Sequence, residues 1–123
     1  MFSEAVLDHF NNPRNAGKLP NADVTVMVSN PVCGDILKLA IRREKERVVE
    51  VRFLCSGCIT AIACASCLTE QMIAIPAANW REITAASIST ILGELPSATQ
   101  HGAQLAADAI RAVERQINSL TVG

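Results

Sequence analysis

The residues able to hold a soft metal ion or to attack sulfur fall in three places. Cys33 stands in Asn30-Pro31-Val32-Cys33-Gly34-Asp35, Cys58 closes Cys55-Ser56-Gly57-Cys58, and Cys64-Ala65-Ser66-Cys67 follows a few residues later. His101 adds an imidazole near the start of the last predicted helix. Five cysteines is an odd number, and four of them crowd between Cys55 and Cys67, so a disulfide framework is disfavoured. Met1 to Phe10 contains Glu4 and Asp8 and lacks a basic stretch followed by an apolar one, so no secretory signal is expected. A reducing cytoplasm is then the expected compartment, where clustered thiols bind metal or react more often than they pair.

Cys33 and Cys58 occupy predicted junctions between elements, each beside a glycine that would allow a tight turn. A thiol at a helix N-terminus faces the partial positive charge of free backbone N–H groups, which favours the thiolate that ligates metal. The bland alternative is that a cysteine serves as a small buried hydrophobe, and this weighs most for Cys64 and Cys67, three apart on one helix face. A doubled C-x-x-C also invites comparison with redox and zinc motifs. A thioredoxin-type site, however, needs a βαβ unit ahead of it, and a zinc ribbon needs a longer loop between the pairs. His9, flanked by Asp8 and Phe10, reads as a surface or packing histidine. No phosphate-cradling glycine loop, Ser-His-Asp set or paired-carboxylate site is present, and no catalytic residue is assigned.

The elements that must position these groups are legible from periodicity. Ser3 to Asn11 carries Val6, Leu7 and Phe10 at helical spacing behind Ser3 as N-cap, with Pro13 as the stop. Three runs then alternate with period 2: Val24, Val26 and Val28; Leu37, Leu39 and Ile41; Val49, Val51 and Phe53. The charged stretch Arg43-Glu44-Lys45-Glu46-Arg47 is the solvated tip of a hairpin, and the short links predict an antiparallel meander. From Ile59 to Ile75 the chain is apolar on all sides, which predicts a buried helix ended by Pro76. A short helix from Ser87 to Leu92 stops near Gly93. A long one from Ala98 to Leu120 puts Leu105, Ala109, Ile110, Val113 and Ile117 on one face. Strands followed by helices make an α+β domain, a three-stranded antiparallel sheet with helices packed on one face.

The 123 residues, 1–123, make one domain, large enough for a real core. With 11 Lys+Arg against 12 Asp+Glu the net charge is -1, so electrostatic steering toward nucleic acid or anionic lipid is not expected. Half the residues are hydrophobic but only 3% are aromatic, so the core is aliphatic and base-stacking platforms are lacking. The longest uncharged run, Phe53 to Thr69, is too short and too polar to span a membrane.

Four stretches, FSEAVLDHFNNPRNAG, NPVCGD, FLCSGCITAIACASCLTE and LPSATQHGAQLAADAIRAV, resemble the U-type iron–sulfur cluster assembly scaffolds, the IscU-like proteins and the N-terminal domain of NifU. They cover nearly the whole chain in the family's order. The resemblance implies that Cys33, Asp35 and Cys58 match two cysteines and the aspartate of the family's assembly site. It also implies a cysteine desulfurase as sulfur source and apo iron–sulfur proteins as recipients. The chain departs from the pattern where the family's His-Cys pair, whose cysteine is thought to accept persulfide sulfur, reads His101-Gly102. The family's Leu-Pro-Pro-Val-Lys, recognised by a dedicated chaperone in some members, reads Leu95-Pro96-Ser97-Ala98-Thr99, so chaperone delivery is not expected.

Cys64 or His101 is therefore the candidate to complete the set with Cys33, Asp35 and Cys58 around a transient 2Fe–2S cluster. An oxygen ligand suits soft cluster iron poorly, so Asp35 would keep the cluster labile, as a donor requires. Cys33, Asp35, Cys58 and His101 would equally suit one tetrahedral Zn2+ in the isolated protein. The expected function is a cluster assembly scaffold, not an enzyme. The alternatives are a zinc-binding or sulfur-relay paralogue that no longer assembles clusters and, far behind, a thiol oxidoreductase using Cys55 and Cys58.

Overall fold

The computed structural model describes residues 2–45 and 47–119 in full and the backbone of 120–122. Helix α1 (Glu4–Asn11) opens as predicted: Val6 N–H donates to Ser3 Oγ at 3.1 Å. Strands β1 (Val24–Asn30), β2 (Asp35–Glu44) and β3 (Arg47–Ser56) form one antiparallel sheet in the order β1-β2-β3. Helices α2 (Ile59–Ala74), α3 (Ala85–Ile91) and α4 (Gln100–Val122) follow, with α2 packed against β3 and α4 against β1 and β2. This is the expected α+β architecture. Glu46, in the predicted hairpin tip, lies outside the described residues.

Alternation decides which face is covered. Val24, Val26, Leu37, Leu39, Ile41, Val51 and Phe53 point inward and are buried with Leu68, Ile110 and Val113 from the helices, whereas Met27, Lys38 and Leu54 look out from the bare face. Val49 departs from the predicted inward set. Arg42 pairs with Glu50 but Arg43 pairs with Val48, so Val49 is the extra residue of a β-bulge. The bulge reverses the alternation: Val49 is exposed and Val48 packs against the core instead.

The helix boundaries also shift by identifiable chemistry. Helix α3 begins two residues before the expected Ser87, because Thr84 and Ser87 form a reciprocal capping box. Helix α4 is preceded by a 3₁₀ turn, Ser97–Thr99, so its regular part starts at Gln100 rather than Ala98. A further 3₁₀ segment, Ala77–Glu82, carries Trp80 into the core, where its indole N–H donates to the carbonyls of Met72 and Ile75, each at 3.1 Å. Helix α2 is buried over most of its length, but Ile73 in its last turn is exposed. Among the described residues no helix is long and apolar enough to cross a membrane.

Candidate metal centre

The start of β2, the end of β3 and the N-termini of α2 and α4 meet at one end of the sheet. β2, α2 and α4 each contribute one donor to a single cluster of polar atoms. Asp35 is the first residue of β2, Cys58 is the N-cap of α2 and His101 lies in the first turn of α4. Cys58 Sγ lies 3.8 Å from Asp35 Oδ2 and 3.7 Å from His101 Nε2, and Nε2 lies 3.7 Å from Oδ2. These three atoms form a nearly equilateral triangle.

Its size is chemically informative. Tetrahedral coordination with bonds of about 2.0–2.3 Å sets neighbouring ligand atoms about 3.3–3.8 Å apart. The observed edges match one face of such a tetrahedron before any metal arrives. The donors are a sulfur, an imidazole nitrogen and a carboxylate oxygen, a set suited to zinc or iron. Asp35 is only 6% exposed, yet among the described residues its carboxylate has no polar partners other than Cys58 and His101. A buried carboxylate so loosely partnered would gain from a cation beside it.

Among the described residues no fourth donor stands with these three. Cys33 sits exposed on the turn between β1 and β2, apart from the other three donors, which all lie within 4.8 Å of one another. Asn30 Oδ1 accepts from Val32 N–H and Cys33 N–H at 3.0 and 3.4 Å, shaping the turn, and Gly34 takes φ 75° within it. Gly34 thus serves the predicted tight turn. Gly57 does not, since its φ is not among the positive ones.

Cys58 acts as more than a donor. Its sulfur accepts from Ala61 N–H at 3.4 Å, so the thiol caps α2 and points at the free N–H groups of its first turn. The remaining cysteines sit differently. Cys64 and Cys67 are fully buried in α2, and Cys55 is half-buried on β3. Burial, aided by the charges of Asp35 and Cys58, pushes the Cys55 thiol up to about 11. Burial, aided by Glu70 and opposed by Arg14, pushes Cys67 to about 11. Burial raises Cys64 as well. At neutral pH these three are therefore protonated thiols in the metal-free protein.

Cys64 is not one of the three donors that stand together. A Cβ built on Gly102 would stand 3.3 Å from Cys64 Sγ and 3.2 Å from the backbone N and Cα of Ala61. The Cys64 thiol fills the space that a side chain at position 102 would enter. His9 is also accounted for: it is buried, with Nδ1 2.8 Å from Ser66 Oγ, and it ties α1 to α2 far from the triangle in sequence.

Comparison with known proteins decides the family. The family model described as the NifU-like N terminal domain matches residues 1–118. The chain belongs to the NifU-like N-terminal domain family. Within it, the chain is 41% identical over 115 residues to the iron-sulfur cluster assembly scaffold protein IscU of Escherichia coli, covering 90% of this chain and 89% of that one. It is 40% identical over 111 residues to the scaffold protein IscU 1 of Archaeoglobus fulgidus, covering 90% and 72%. Among solved structures, a NifU-like N-terminal protein from Brucella abortus superposes with a TM-score of 0.74 at 18% identity, covering 94% and 93%. A putative iron-sulfur cluster assembly scaffold protein for the SUF system from Fervidobacterium islandicum gives 0.70 at 19%, covering 91% and 95%. At those identities the structures establish the shared fold, and the fold is that of the NifU-like N-terminal domain.

Proposed function

We propose that this chain is an iron–sulfur cluster assembly scaffold that takes up iron and sulfide, holds a transient 2Fe–2S cluster as cargo and passes it to apo-proteins. The observation that carries the reading is the preformed Asp35, Cys58 and His101 triangle at the end of a chain whose relatives are named as scaffolds. Asp35, Cys58 and His101 hold the cargo, and Cys33 supplies the remaining donor from its exposed turn. His101 supplies the donor that a cysteine at position 102 would otherwise give. Two thiolates, one imidazole and one carboxylate bind a cluster less firmly than four thiolates, which favours release. A cysteine desulfurase is the sulfur source and apo iron–sulfur proteins are the recipients. The five free thiols suit a reducing compartment, the cytoplasm.

A second reading has its own support. The triangle fits a single tetrahedral ion, and no thiol stands at position 102, so a zinc-binding or sulfur-relay protein would have the same three donors.

Anaerobic reconstitution with ferrous iron and sulfide separates the two. The scaffold reading requires sulfide-to-iron charge-transfer absorption and acid-labile sulfide equal to bound iron, both lost in Cys58→Ala and in Cys33→Ala. Zinc retained under those conditions, with no such absorption, favours the second reading. A Cys64→Ala protein that loses the cluster while His101→Ala keeps it would transfer the role from His101 to Cys64.

A further inference from the structure

The triangle is bordered by a residue that has no side chain. Strand register pairs Ile36 with Ser56, so one rung beyond the paired ladder Asp35 faces Gly57. A Cβ built on Gly57 would lie 2.8 Å from Asp35 Cγ, 2.9 Å from Oδ1 and 3.1 Å from Asp35 Cβ. Close-packed interiors do not accommodate carbon atoms at such separations. The backbone does not demand glycine here, because φ at Gly57 is not positive, unlike φ at Gly17, Gly34 and Gly93. Room for Asp35 is the reason that remains.

Three of the four residues Cys55-Ser56-Gly57-Cys58 thus have separate tasks. Ser56 ends the ladder, Cys58 caps α2 and supplies sulfur, and Gly57 leaves the space between them free. We propose that Gly57 is a positioning residue for the Asp35 carboxylate: its missing side chain lets that carboxylate lie against the β3–α2 junction, within reach of Cys58 Sγ and His101 Nε2. The inference rests on the reading of Asp35 as a metal donor. A methyl group at position 57 would drive the carboxylate off the third vertex. It would leave the ladder intact, since position 57 lies beyond the last pair.

Gly57→Ala tests this in two independent ways. Its metal-free crystal structure should show the Asp35 carboxylate turned away from Cys58 and His101, with β3 and α2 in place. Titration with Co2+ should show affinity about 10- to 100-fold below wild type, the range expected when the support of a ligand is disturbed. The thiolate-to-cobalt charge-transfer band should persist while the d–d bands lose tetrahedral character. A double-mutant cycle shows whether the effect acts through Asp35. In an Asp35→Ala background the contacts with Cγ and Oδ1 are gone and only the 3.1 Å approach to Cβ remains, so adding Gly57→Ala should leave cobalt affinity unchanged and cost less thermal stability than it does in wild type. That comparison also holds if Gly57→Ala alone folds poorly. An unmoved carboxylate in the crystal, wild-type cobalt affinity in Gly57→Ala, or an equal loss in the Asp35→Ala background would each overturn the proposal. Wild-type protein that takes up no cobalt would count against the ligand reading itself, and the crystal structure would then decide on Gly57 alone.

Discussion

At the scale of single residues, Cys58 combines two roles that substitution can separate. A serine at 58 keeps an oxygen acceptor for Ala61 N–H, whereas an alanine leaves that N–H without its cap. Cys58→Ser should therefore be more stable to urea than Cys58→Ala by about 1 kcal/mol, while both lose soft-metal binding. Equal stabilities would show that the 3.4 Å contact does not cap the helix. Position 102 yields a second prediction. Because Ala61 backbone and Cys64 Sγ both crowd its Cβ site, Gly102→Cys should destabilise the protein by about 1–3 kcal/mol. Adding Cys64→Ala removes the sulfur contact but not the backbone one, so urea unfolding should show partial recovery. Full wild-type stability in Gly102→Cys alone would refute the crowding. Cys58 and His101 were legible in the sequence as candidate donors from residue type and junction position, and they do stand together with Asp35, which only the family resemblance singled out, whereas Cys33 stays on its exposed turn outside the triangle. The places of Cys64 and Gly57 were not, since they depend on how closely α4 approaches α2 and on which residue faces Asp35 across the sheet.

At the scale of elements, alternation and capping chemistry made the three strands and four helices readable, and the misplacements have local causes. The bulge at Val49 depends on the cross-strand register near Arg42 and Arg43, which no single strand encodes. The 3₁₀ segment around Trp80 has no apolar period of its own and is held by carbonyls of α2 and the residue after it. The docking of α1 on α2 is likewise tertiary. Ser66 Oγ lies 2.8 Å from both His9 Nδ1 and Arg14 N–H, and Thr69 Oγ1 donates to Arg14 O at 3.1 Å. Burial, reinforced by the charge of Arg14, holds His9 below its ordinary value of 6.5, outweighing Glu70, 3.8 Å away, and Asp8. The unfolded chain then binds a proton that the folded chain refuses, so this contribution is full above about pH 6.5 and is lost as pH falls through the depressed folded value. Urea midpoints measured from pH 7.5 down to 5 should fall more steeply for wild type than for His9→Asn, which keeps a hydrogen-bonding group near Ser66 but does not titrate. Parallel profiles would remove His9 as the acid-sensitive link between α1 and α2.

At the scale of the whole molecule, the core is aliphatic apart from Trp80 and Phe53, and two neutral thiols of α2 are packed inside it with a third at its edge. That composition predicts an alkaline weakness. The sequence contains no Tyr, and Lys18, Lys38 and Lys45 are exposed, so the buried groups that titrate above pH 8 are cysteines. Burial raises Cys55 and Cys67 from an ordinary 9.0 to about 11, and raises Cys64 in the same direction. Above pH 9 the unfolded chain releases thiol protons that the folded chain keeps. Stability is thus fully present below the unfolded value and is lost as pH rises through the folded ones, at up to about 1.4 kcal/mol per pH unit for each thiol. Urea midpoints in the presence of a reductant should hold level from pH 7 to 8.5 and then decline toward pH 11. Cys67→Ala should start from a lower midpoint, because packing is lost, but decline less steeply. If the slope of Cys67→Ala equals that of wild type, the alkaline loss does not come from the buried thiol, and the accounting of these cysteines as neutral core residues fails at Cys67.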